Sequence, residues 1–124
     1  MLPYTKKVIG SVNKSVPLVN FSTGTGTYLD RVAAAGGDVI GVDWKIDIDT
    51  AWEIVGHSKA IQGNLDPVVL FSDRDYIRKR AREVLDAAGG RPGHIFNLGH
   101  GIILGTPVDN VKALVDAVHE FSRR

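Results

Sequence analysis

His100 stands between Gly99 and Gly101, directly after the apolar run Ile95-Phe96-Asn97-Leu98. Neither neighbour carries a side chain, so a ligand can approach the backbone there closely. The imidazole can donate or accept a hydrogen bond, and its charged form can meet a carboxylate. His100 is therefore the first candidate for both catalysis and substrate binding, set against the plain alternative of a structural histidine. Three other segments also place polar groups directly after an apolar run: Asn20 to Thr27, Asp43-Trp44-Lys45, and Gln62-Gly63-Asn64-Leu65-Asp66. The stretch Ser22-Thr23-Gly24-Thr25-Gly26-Thr27 alternates hydroxyls with glycine. Its backbone N–H groups could cradle an anion, or the segment could be a tight turn and helix cap. Gly24-Thr25-Gly26 lacks the third glycine of a dinucleotide fingerprint. Asp43 suits a general base or a partner for a cation, and equally a carboxylate that braces a loop. His57, His94 and His119 lack the setting of His100, and no two histidines have metal-ligand spacing. No metal site is expected. The chain has no cysteine, which removes thiolate nucleophiles, disulfides and cysteine-held zinc together.

The elements that must position these groups alternate between two periodicities. Tyr4, Val8 and Val12 recur at helical spacing, predicting a helix over Leu2 to Asn13. Val16 to Phe21 reads as a buried strand. A second helix carries Leu29, Val32 and Ala33 and stops at Gly36-Gly37. Val39 to Val42 is the next strand, and Asp49 can cap a short helix bearing Trp52, Ile54 and Val55. Ala60 to Leu65 forms a third strand, ended by Asp66-Pro67. Ser72 or Asp73 then caps a long helix with an apolar stripe of Ile77, Ala81, Val84, Leu85 and Ala88, closed by Gly89-Gly90. Ile95 to Leu98 is the fourth strand. Thr106 as N-cap and Pro107 at the first position open a last helix, buried through Val111, Leu114, Val115, Val118 and Phe121. Trp44 and Trp52 are expected to pack in the core or cover the sheet. Arg78-Lys79-Arg80 with Arg82 is expected to be a solvated helix face.

A helix followed by four strand–helix units implies an α/β fold with parallel strands and right-handed crossovers. Continuous apolar strands predict a sheet covered on both faces. Four units are half of a (β/α)8 barrel, which typically needs about 250 residues. A small doubly wound sheet fits the same pattern. In either, function gathers at the C-terminal ends of the strands. The opening helix has no strand before it, so the expectation is a barrel cut in two.

The 124 residues are 44% hydrophobic and 23% charged, an ordinary globular composition. A net charge of +1 offers no broad basic field for nucleic acid. No apolar run reaches the roughly 18 residues of a membrane helix, and the N-terminus lacks a signal peptide's apolar stretch. The expectation is no nucleic-acid partner, no membrane partner and a cytoplasmic location.

Four blocks carry a resemblance. Gly93-His94-Ile95-Phe96-Asn97-Leu98-Gly99-His100-Gly101-Ile102, with Thr106-Pro107 and Asn110-Val111 behind it, closely resembles the C-terminal signature of uroporphyrinogen decarboxylases. So do Ile61-Gln62-Gly63-Asn64-Leu65-Asp66-Pro67, Val39-Ile40-Gly41-Val42-Asp43-Trp44, and Val115-Asp116-Ala117-Val118-His119-Glu120. The likeness spans essentially the whole chain but only the last third or so of that family's length. It departs after Gly101-Ile102, where the family commonly has Leu-Pro and an acidic residue and this chain has Ile103-Leu104-Gly105.

The resemblance implies a single partial domain over residues 1–124, the C-terminal half of a (β/α)8 barrel. It implies decarboxylation of the four acetate side chains of uroporphyrinogen to coproporphyrinogen, a small tetrapyrrole substrate, no metal or organic cofactor, and a homodimer. The family's arginine-rich segment, catalytic aspartate, active-site tyrosine and a substrate-site serine or threonine fall outside this chain. Its active-site histidine falls on His100. On that reading, an N-terminal half is missing and the chain alone is expected to show no activity. Two alternatives stand beside it: a non-catalytic split subunit or gene fragment, and a related methyltransferase-type barrel of the kind that holds zinc with cysteine and histidine.

Overall fold

In the structure, a computed structural model that describes residues 2–123, four strands form one sheet in the order of the sequence. They are β1 (Val19–Phe21), β2 (Val39–Gly41), β3 (Ala60–Leu65) and β4 (His94–Leu98), and every neighbouring pair is parallel. The helices are α1 (Leu2–Gly10), α2 (Leu29–Ala35), α3 (Ile48–Val55), α4 (Arg74–Ala87) and α5 (Val108–Phe121).

One face of the sheet lies under the helices. Ile40 pairs with Ile61, and both are fully buried with Leu29, Ile48, Trp52, Leu65, Leu70 and Ile77. Alternate residues of a strand point to the opposite face, and on that face Val19, Phe21 and Ile95 stay 44–46% exposed. Helices on one side, an opposite face left open at β1 and β4, and unbroken sequential order describe half of a (β/α)8 barrel. A doubly wound sheet would reverse its strand order and cover both faces. The expectation of a sheet buried on both sides holds at β2, whose three residues are all buried, and fails at β1 and β4, which alternate between covered and exposed residues.

Several local expectations are corrected. The first helix ends at Gly10 rather than Asn13. The first strand begins at Val19 rather than Val16, because Pro17 has no N–H and the Leu18 N–H donates to the Asp38 carboxylate rather than to a strand carbonyl. The fourth strand starts one residue earlier, at His94. Asp47, not Asp49, occupies the N-cap of α3; the Asp49 carboxylate accepts from Thr50 N–H inside the first turn. Ile54 and Val115 face solvent. Asp73, of the two candidates, caps α4 by accepting from Tyr76 N–H at 2.9 Å. Pro107 rather than Thr106 is the N-cap of α5, since the Thr106 hydroxyl donates backwards to Ile103 O. The short 3-10 turns Gly26–Tyr28 and Pro67–Phe71 had no periodic signature. The second is tied to α5 by Asn110, whose amide donates to Leu70 O at 2.8 Å.

The basic stretch of α4 is more than a solvated face. The guanidinium carbons of Arg78 and Arg82 lie 4.8 and 4.3 Å from the centre of the Phe121 ring, and Arg78 pairs with Glu120 at 3.0 Å. Cation–π contacts and the Arg78–Glu120 pair thus join α4 to α5.

Candidate active site

The C-terminal ends of the strands are held together by buried polar groups. Asp43, just beyond the end of β2, is 3% exposed. Its carboxylate accepts from Gly24 N–H at 2.6 Å and from Lys45 N–H at 3.0 Å. One oxygen therefore fixes the Ser22–Thr27 turn and the other fixes its own loop. Such charge-assisted bonds are the stronger kind. With both oxygens engaged by backbone donors, Asp43 acts here as the brace between two loops. Asn64, also buried, donates from its amide to Asp43 O at 2.9 Å and to Ile46 O. Inside the turn, the Ser22 and Thr25 hydroxyls lie 3.1 Å apart.

The β4 loop closes against the same loop. A Cβ built on Gly99 would strike Trp44 N and come within 2.9 Å of Asp43 C, so only glycine lets the two backbones meet. This contact carries His100 to Trp44, where the two rings stand edge to face with centroids 6.0 Å apart at 81°. On the indole, Lys45 Nζ lies 5.5 Å from the ring centre. His100 itself is exposed. All four segments singled out by position after an apolar run are thus at one end of the sheet, and Asp43, Asn64, Trp44 and the Ser22–Thr27 turn form one connected set.

Trp44, rather than simply packing or covering, is 38% exposed and meets the His100 imidazole edge to face. No periodicity marks such a residue, and its place directly after Asp43 was the one available signal. Trp52, by contrast, is core.

Two of the other three histidines make structural contacts. His94 Nε2–H donates to Gly63 O at 2.9 Å, and its ring meets Trp52 and Phe96. His57 accepts from Arg91 at 2.9 Å and leans on Trp52. His119 is exposed on α5. Among the described residues no group of three or more His, Asp or Glu could hold a metal ion, and no helix is long and apolar enough to cross a membrane.

Burial lowers the pKa of His94 from its ordinary value of 6.5, against the opposing hydrogen bond to Gly63. The unfolded chain therefore takes up the proton more readily than the folded one. The stability that neutral His94 contributes is complete above the ordinary histidine value. It is lost as pH falls through that value towards the lower folded one. Urea midpoints at pH 7.5 and pH 5 should fall on acidification, and the fall should shrink in His94→Gln. Equal falls in both proteins would show that His94 is not responsible.

Residues 1–121 match the sequence profile of the uroporphyrinogen decarboxylase (URO-D) family. The chain belongs to that family. It is 51% identical over 123 residues to the uroporphyrinogen decarboxylase of Carboxydothermus hydrogenoformans, matching 98% of this chain and 35% of that one. It is likewise 51% identical over 122 residues to the uroporphyrinogen decarboxylase of Sorangium cellulosum, with the same coverage. The chain thus spans about a third of the length of these relatives. Among solved structures, a methyltransferase from Methanosarcina mazei superposes with a TM-score of 0.84 at 28% identity, over 99% of this chain and 36% of that one. The uroporphyrinogen decarboxylase family and this methyltransferase therefore share the half-barrel described here.

Proposed function

We propose that this chain is the C-terminal half of the barrel of a uroporphyrinogen decarboxylase, a carboxy-lyase of porphyrin and haem synthesis, with His100 in its active site. The observation that carries the reading is the level of identity to enzymes of that name along nearly the whole chain. Decarboxylating a pyrrole acetate requires an electron sink. Protonation of the pyrrole ring supplies one: the C–CO2 bond breaks into the cationic ring, CO2 leaves, the side-chain carbon takes a proton, and the ring then gives up the proton it first took, restoring the pyrrole. Preorganised charge can stabilise the cation in that sequence, and no metal or organic cofactor takes part. The substrate presents eight carboxylates, and the exposed imidazole of His100 suits one of them, or delivery of a proton. A homodimer in the cytoplasm completes the proposal. The methyltransferase reading has the shared fold in its favour. Against it, this chain has no cysteine and so contributes no thiolate to a zinc site.

The test supplies uroporphyrinogen anaerobically to the chain alone, and to the chain with the part of the Carboxydothermus relative that it does not match. We expect coproporphyrinogen only from the combination, and its absence there would sink the reading. His100→Asn keeps a hydrogen-bonding group but loses the charge and the proton transfer. The four successive steps should slow by about 5- to 150-fold, the range for one lost polar contact of about 1–3 kcal/mol. Unchanged rates and unchanged accumulation of intermediates would make His100 structural.

A further inference from the structure

We infer that Trp44 is a positioning residue for His100: its indole sets the direction in which the imidazole meets a substrate carboxylate. The inference rests on the decarboxylase reading for what His100 does, and on geometry for how His100 is held. Among the described residues His100 has no hydrogen bond from its ring, and its ring contact is the edge-to-face one with Trp44. An exposed imidazole on a glycine-flanked loop would otherwise sample several rotamers. An aromatic pair at this separation and angle is favourable beyond its area.

The loop that carries Trp44, in contrast, is held from several sides. Asp43 just before it is buried and locked to two backbone donors. Asn64 holds the carbonyls of Asp43 and Ile46, bracketing the loop. Gly99 presses its backbone against Trp44 N, so the two loops share one register. The Lys45 ammonium stands by the indole, adding a cation–π contact that limits its swing. A braced loop thus presents the indole to His100, and the bracing comes from groups that do not themselves reach His100. This assigns a task to Asp43 and Asn64 as well, because each acts on the imidazole only through the loop of Trp44.

The experiment has a spectroscopic arm and a kinetic arm. In the 124-residue chain, nuclear Overhauser contacts between the Trp44 and His100 rings are expected. Trp44→Leu should move the His100 ring resonances while those of His57, His94 and His119 stay in place. In the combined protein assayed with uroporphyrinogen, Trp44→Leu should lower kcat/KM by about 2- to 12-fold, the scale of one aromatic pair. Trp44→Phe, which keeps an aromatic edge, should recover most of that loss. In a His100→Asn background Trp44→Leu should add nothing, because its effect runs through the imidazole. Absence of the ring contacts, or an equal further loss in the His100→Asn background, would overturn the inference. If the unsubstituted combination makes no product, the decarboxylase reading falls, while the ring contacts still decide whether Trp44 holds His100.

Discussion

Truncating Trp52 to alanine is expected to lower the free energy of unfolding by about 3–5 kcal/mol. The side chain is 2% exposed and belongs to the main core cluster. Its loss removes apolar contacts and leaves a cavity that the surrounding strands cannot fully close. It also carries a bond that alanine cannot make. Nε1–H donates to Lys59 O at 2.9 Å, tying α3 to the residue just before β3. Its Cζ2 lies 3.5 Å from where a Cβ on Gly93 would sit, so the ring also reaches the start of β4. Trp52→Phe separates the two contributions: it keeps much of the volume and loses the hydrogen bond, for roughly 1 kcal/mol plus a smaller cavity. Urea unfolding of the three proteins is the measurement. A change below about 1 kcal/mol for the alanine variant would mean that the region repacks.

The second large effect is expected at Gly63. Its φ is +142°, a conformation that a residue with a side chain adopts only with strain. A Cβ there would lie 2.7 Å from Val42 O and 3.2 Å from Val42 Cγ2. The near atom is backbone just beyond the end of β2, so no rotamer change relieves the clash. Strain of about 1–3 kcal/mol and overpacking of about 1–3 kcal/mol act together, giving roughly 2–6 kcal/mol for Gly63→Ala. The displacement would fall where Gly63 O accepts from His94 and beside Asn64, which holds the Trp44 loop. Substitution should therefore loosen the site as well as the fold. Near-native unfolding midpoints in Gly63→Ala would refute the expectation.

The order of the elements was legible because each is amphipathic or apolar in its own period. Ile77, Ala81 and Val84 are buried on α4, as their spacing requires. The terminal strands were less legible. Val19, Phe21 and Ile95 are as apolar as Ile40 and Ile61, and nothing in their types says that only the latter pair lies under helices. Caps were misplaced where short polar side chains had competing bonds, as at Thr106 and Asp49. Within the site, the grouping of segments followed from a rule about strand ends, whereas the work of Asp43 did not. A carboxylate after a strand looks the same whether it is free for chemistry or bonded on both oxygens. The approach of Gly99 to Trp44 is a contact between loops distant in sequence, so no local pattern could announce it.

The sequential strand order has a consequence for synthesis. Val19 lies beside Val39, and Val39 beside Ala60, so each strand meets a neighbour made only one unit earlier. Closing loops of that length carries a modest entropic penalty, and contact order stays low for a parallel sheet. As the chain leaves the ribosome, each strand–helix unit can dock on the previous one without waiting for the C-terminus. Natural seams for recombination therefore fall between units, in the segments that follow α2, α3 and α4.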